Sequence, residues 1–131
     1  LKGLQEGNVD NPEIQEGFNI QARNLARLND EGMTIAVGSD GNRPWGPHIE
    51  MEDMVAAGMS PAQVLVAATR NGAVLMELDD TGTIEAAKSA DFIVLEANPL
   101  DDITNTRQIS SVYLRGERVN RARISARWRG L

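Results

Sequence analysis

Met33-Thr34-Ile35-Ala36-Val37-Gly38-Ser39-Asp40 is an apolar run that ends abruptly in a carboxylate. It is too short for a helix of ordinary length and carries β-branched Ile and Val, so it reads as a buried strand of the kind found in a parallel sheet covered on both faces. Asp40 then stands at the carboxyl end of that strand. In α/β architectures this edge faces the pocket, because the loops leaving it surround a floor made by the sheet. Gly38-Ser39-Asp40-Gly41 is also a good turn sequence, in which Asp acts only as a turn former. On spacing alone both readings stand.

Toward the N-terminus, Asn11-Pro12 marks a helix start, since Asn caps free amides and Pro fits the first turn. Ile14, Phe18, Ala22, Leu25 and Leu28 then repeat every three or four residues and predict an amphipathic helix, ended at Gly32. Toward the C-terminus, residues 41–48 form a Gly- and Pro-rich loop carrying Arg43, Trp45 and His48, and loops of this kind present side chains from a rigid scaffold. A short helix is predicted from Ile49 to Ala57, with Gly58 as its stop. Met51, Met54 and Met59 read as core filler, and Glu50, Glu52 and Asp53 as a solvated first turn favoured by the helix dipole. Ser60-Pro61-Ala62-Gln63 is a capping box that opens a further helix, with a break expected between Thr69 and Gly72.

Past Asp79 the texture changes. Residues 90–96 predict a strand, Asn98-Pro99 a turn, and Ile109 to Leu114 with Arg115 to Val119 a hairpin, with no helix period visible. The expected organisation is therefore 1–78, helices around a buried strand, and 79–131, strand-rich with a basic tail.

Composition narrows the function. At 131 residues and 41% apolar content the chain can hold a moderate core, and no apolar run approaches a membrane span. It has no cysteine, which removes thiolate chemistry and cysteine-ligated zinc. Six arginines and one acid from Arg115 onward give the tail +5, leaving −11 for the rest of a chain whose total is −6. An acidic body argues against nucleic-acid binding, so the tail is expected to meet acids or a partner segment. The chain starts at Leu1 without a leader pattern and reads as a soluble, cytoplasmic portion of something longer.

Several short motifs fall in one order: Ile35-Ala36-Val37-Gly38-Ser39-Asp40, His48, Ala57-Gly58-Met59-Ser60-Pro61, Ala67-Ala68-Thr69-Arg70-Asn71, Gly82-Thr83-Ile84, Lys88 to Leu95, and Asn98 to Ile103. Together they resemble the metal-dependent amidohydrolases, in particular the imidazolonepropionase and prolidase-like branch. The resemblance implies an α/β fold: the last helices and final strand of a (β/α)8 barrel, followed by strands of a small β-sandwich. It implies hydrolysis of C–N bonds in an amide, peptide or cyclic amide, with one or two divalent ions, zinc by preference. Asp40 matches the Asp that ends the last barrel strand, binds the metal and takes a proton from the attacking water. Arg43, Trp45 and His48 become candidate substrate contacts, Arg as a fork for a carboxylate and Trp as a flat apolar wall. On the bland alternative, Arg43 is solvated, Trp45 packs under the loop and His48 lies on the surface at a helix start.

Two departures stand out. Ala87 occupies a turn position where the family usually has Gly, which costs about 1 kcal/mol if the turn needs positive φ. More important, His48 is the sole histidine, whereas a catalytic zinc takes about three protein ligands and a water. The chain therefore reads as an incomplete C-terminal portion whose partner is the missing N-terminal barrel segment, and it is expected to self-associate as a homo-oligomer. The competing class is a non-catalytic domain that keeps this fold for association or for completing another chain. A nucleotide-binding domain is excluded, because no Gly-rich loop opens a helix directly after the run.

Overall fold

The computed structural model describes residues 12–39 and 45–130. Helix α1 (Pro12–Asp30) follows the predicted apolar stripe and closes on Gly32 at φ 79°. Gly32 N–H donates to Asn29 O at 3.0 Å and Met33 N–H to Leu28 O at 3.0 Å, the paired bonds of a left-handed helix end. The predicted cap, Asn11, lies outside the described residues.

Helix α2 (Gly46–Ala56) begins three residues earlier than its apolar pattern suggests. Pro47 disguises the start: Pro reads as a loop residue, yet in a first turn its missing N–H costs nothing. The helix ends with the same motif, Gly58 at φ 110° and Met59 N–H donating to Met54 O at 3.2 Å. Ser60 then opens α3 (Pro61–Ala68) through the expected capping box: Gln63 N–H donates to Ser60 Oγ at 3.3 Å and Ser60 N–H to Gln63 Oε1 at 2.8 Å. The chain breaks at Thr69 and resumes as α4 (Arg70–Leu75).

Between α1 and α2 the expected strand takes a different form. Residues 33–39 carry no strand pairing among the described residues, and Ile35, Ala36 and Val37 are half-buried rather than buried. Helices α3 and α4 hold the run instead: Val37 N–H donates to Ala67 O at 3.2 Å, and Asn71 Nδ2 donates to Ile35 O at 2.8 Å. The break at Thr69 makes this possible, because carbonyls at a helix end lack intrahelical partners. A cavity of about 260 Å³ lies alongside, lined in part by Met33, Ile35, Val66 and Asn71.

Three strands follow in the order β1-β2-β3, all antiparallel. β1 (Phe92–Leu95) pairs with β2 (Ile109–Leu114), and Phe92 stacks on its register partner Tyr113 with ring centroids 4.6 Å apart. β3 (Glu117–Arg118) returns through a turn in which Arg115 and Gly116 both have positive φ. Asp91 braces this turn, its carboxylate accepting from Arg115 N–H at 2.6 Å and from Ser89 Oγ at 2.9 Å, and these bonds hold its carboxyl below the ordinary value of 3.8. The basic tail forms a helix that periodicity misses, α5 (Arg121–Trp128). Asn120 caps it by accepting from Arg123 N–H at 2.9 Å, whereas two large apolar residues, Ile124 and Trp128, are too few to print a helical stripe.

The core gathers Met51, Met54, Met59, Val64 and Ala67 from the helical part. Ile103 joins them from a 3-10 turn (Ile103–Arg107) between β1 and β2, so the strand-rich part contributes directly to the core of the helical part. The methionines are core filler, as expected. Ala87 has φ 68° in the turn closed by Lys88 N–H to Glu85 O at 3.3 Å, so it bears the predicted strain. Gly82, at φ 87°, has no room for a side chain: a Cβ there would lie 2.5 Å from Ala73 Cβ and 3.3 Å from the backbone of Thr69 and Arg70.

Candidate functional site

Asp40 and Arg43 lie outside the described residues. The residues flanking that stretch are placed: Ser39 Cβ would be 3.7 Å from a Cβ on Gly46, so the end of the extended run and the start of α2 lie side by side. Trp45 caps α2 from the left-handed region, φ 63° and ψ 13°, with no side-chain bond to the helix. A bulky residue there is strained, so its surroundings must hold it.

Those surroundings come from the first turn of α2 and from the 3-10 turn. The His48 ring meets Trp45 edge-on with centroids 5.1 Å apart, and the Arg107 guanidinium carbon sits 5.9 Å from the Trp45 ring centre. Arg107 Nε donates to Glu52 Oε1 at 2.6 Å, with the Glu52 side chain only 10% exposed. Glu52 is therefore not the solvated first-turn acid the sequence suggests. With α2 starting at Gly46 it falls in the second turn, on the side facing Arg107.

His48 Nδ1 lies 3.0 Å from Thr106 Oγ1, and Thr106 Oγ1 lies 2.8 Å from Ile103 O. Thr106 Oγ1 donates to Ile103 O and can then accept from His48 in the tautomer that carries its proton on Nδ1. Burial is the main reason the ring takes a second proton less readily than the ordinary value of 6.5; Arg107 adds to the effect and Glu52 opposes it.

Trp45 and His48 are thus brought together, joined by Glu52, Thr106 and Arg107, none of which the sequence singled out as site residues. Thr106 is 58 positions from His48, and no local pattern links them. Among the described residues, no group of three or more His, Cys, Asp or Glu could hold a metal ion. The described donor set does not fit a catalytic metal. No helix among the described residues is long and apolar enough to cross a membrane.

The chain belongs to the amidohydrolase family, whose model matches residues 2–119. It is 31% identical over 98 residues to an imidazolonepropionase of Deinococcus radiodurans, covering 69% of this chain and 25% of the relative. An ochratoxinase of Aspergillus niger is 40% identical over 76 residues, 55% of this chain and 16% of that protein. Among solved structures, a Xaa-Pro dipeptidase with methionine bound in its active site superposes with TM-score 0.69 at 29% identity, over 75% of this chain and 25% of that one. The chain spans a quarter or less of the length of each. Family members are hydrolases, and the family is generally metal-dependent.

Proposed function

We propose that this chain is the C-terminal portion of a metal-dependent hydrolase of C–N bonds in small amides or dipeptides, with residues 1–78 closing a (β/α)8 barrel and 79–131 contributing to a β-sandwich. The observation that supports it best is the extended run at 33–39, which is apolar, without a strand partner among the described residues, and held on one side by α3 and α4 with a cavity beside it. A final barrel strand deprived of its neighbours has these properties, because its side chains and backbone groups are built to meet adjacent strands.

On this reading Asp40, one residue beyond the run, accepts the proton of the attacking water and returns it to the leaving nitrogen. Asp40 would also be one of the residues holding a divalent ion, zinc by the sequence reading, with the other ligands supplied from outside this chain, and the ion would lower the pKa of the attacking water. Arg43 supplies a fork for a substrate carboxylate and Trp45 an apolar wall. Exposed Val74, Leu75, Met76 and Ile84, the last 91% accessible, support the expectation that the 131 residues alone self-associate.

The test is Asp40→Asn in the complete enzyme. Turnover of an amide or dipeptide substrate should fall by roughly a thousandfold or more while thermal unfolding is unchanged, since the general base is lost without a change in volume. A mutant as fast as the parent removes Asp40 from the mechanism.

A further inference from the structure

We infer that α5 of one copy docks on a second copy of this chain, with Trp128 seated in the cavity between α4 and residues 77–88 and the neighbouring arginines on that cavity's acidic rim. The contact goes beyond the hydrolase reading and does not rest on it. No residue of α5 is buried. Ile124 and Trp128 are four positions apart and share one face of the helix, and Arg123 and Arg127 form the adjacent row. All four are exposed, Trp128 by 86%. Trp and Arg are the residue types that most often anchor an interface, the ring by its area and the guanidinium by its paired charge.

The receiving cavity has a volume of about 350 Å³. Val74 and Leu78 give it apolar walls, and Thr83 lines it with a hydroxyl that is buried without a hydrogen-bond partner among the described residues. Glu77, Asp79 and Glu85 outnumber its two cations, Arg70 and Lys88, and residues 77–102 as a whole hold eight acids and a single lysine. An indole matches these features: its ring fills an apolar cleft, and its N–H needs an acceptor once water is excluded, which the Thr83 hydroxyl supplies. Arg123 and Arg127 then meet the carboxylates. Charge selects the occupant. The chain carries +5 from Arg115 onward and −11 elsewhere, so a membrane or nucleic acid that attracts the tail repels the body, whereas a second copy offers each its opposite. Every copy has both parts, so two copies exchange helices and close on a two-fold axis.

Sedimentation velocity of the complete protein over a range of concentrations tests the contact. The parent should dimerise, and the dimer should weaken as NaCl is raised. Trp128→Ala should raise the dissociation constant roughly thirtyfold or more. Arg127→Glu and Glu85→Lys should each raise it about tenfold, and an equimolar mixture of the two should recover the parent's association, because both contacts of the mixed dimer then pair opposite charges. A parent that stays monomeric, a dimer indifferent to Trp128→Ala, or a mixture no tighter than its components overturns the inference.

A double-mutant cycle locates the ring. Trp128→Phe keeps an aromatic side chain but loses the N–H, and Thr83→Val loses the acceptor. Each should raise the dissociation constant by about fivefold, and the double variant should be no weaker than either single one. Thr83→Val should not lower the melting temperature of the dilute, monomeric protein, since its hydroxyl bonds nothing there. Fully additive losses would overturn the seating of Trp128 beside Thr83. Vesicles of phosphatidylcholine with phosphatidylserine supply the competing occupant: a parent that remains monomeric yet co-sediments with them, and loses this in Trp128→Ala, assigns α5 to a membrane and overturns the dimer. Asp40→Asn should dimerise like the parent whatever its turnover, which keeps failure of the hydrolase reading distinct from failure of this contact.

Discussion

Met33–Ser39 and Phe92–Leu95 are both short, β-branched and apolar, yet only the second becomes a strand. Phe92–Leu95 finds β2 within the next twenty residues, and its ladder is reinforced by the stacked Phe92–Tyr113 pair. Met33–Ser39 lies extended without a strand partner among the described residues, tied by a helix-end carbonyl and one asparagine side chain. The contrast shows that strand character in a sequence is an offer to pair. The offer is taken up only when a complementary edge exists, because backbone N–H and C=O groups must find partners somewhere.

This contrast can be broken or sharpened experimentally. The largest effect is expected from Asp40→Asn, described above, which asks whether the end of the unpaired run is where the chemistry happens. Next is Gly82→Ala. The added methyl collides with Ala73 and with backbone at Thr69 and Arg70, the segment that carries the run's supports, and the residue sits at positive φ. Overpacking and backbone strain together should cost about 3 kcal/mol, read as a drop of several degrees in the melting temperature of the complete protein. A melting temperature equal to the parent's would mean that α4 yields without cost.

Asn71→Ala should be milder. It leaves the Ile35 carbonyl without its 2.8 Å donor at a half-buried position, for about 1 kcal/mol. If the melting temperature does not change, the asparagine does not hold the run. Ala87→Gly should act in the opposite direction, stabilising by about 0.5 to 1 kcal/mol by relieving the strain at φ 68°. A loss of stability there would show that the turn is shaped by its alanine.

The smallest effect concerns pH. His48 binds its second proton less readily when folded than when unfolded, so the unfolded chain takes up more protons between the ordinary 6.5 and the lower folded value. Stability from this residue is complete above pH 6.5 and declines as pH falls through that window. The melting temperature of the parent should therefore fall more steeply below pH 6.5 than that of His48→Gln. Parallel profiles would remove His48 as the cause.

Much of the local structure was legible in residues 12–119. The glycines at 32 and 58, the Ser60–Gln63 capping box, the break near Thr69 and the hairpin turn at Arg115-Gly116 are encoded within a few residues of where they act. The left-handed Ala87 was legible too, because the resemblance marks that turn as a glycine position. Helix α5 was not, since a cap and two large apolar residues leave no periodic trace. The site was half legible: His48 and Trp45 drew notice as unusual loop residues, but Glu52 looked like a solvated acid and Thr106 and Arg107 like nothing in particular.

The sequence by itself determined where helices start and stop, which turns form, and that an apolar run leads to a carboxylate, because capping, positive φ and hydrophobic period are short-range physics. Tertiary structure alone decided that this run would find no strand partner among the described residues, that Ile103 would complete a core built by α2 and α3, and that Thr106 and Arg107 would meet His48 and Trp45. Those outcomes depend on contacts between residues from thirty to more than fifty positions apart, and nothing in local propensity records which distant backbone or side chain will supply the missing partner.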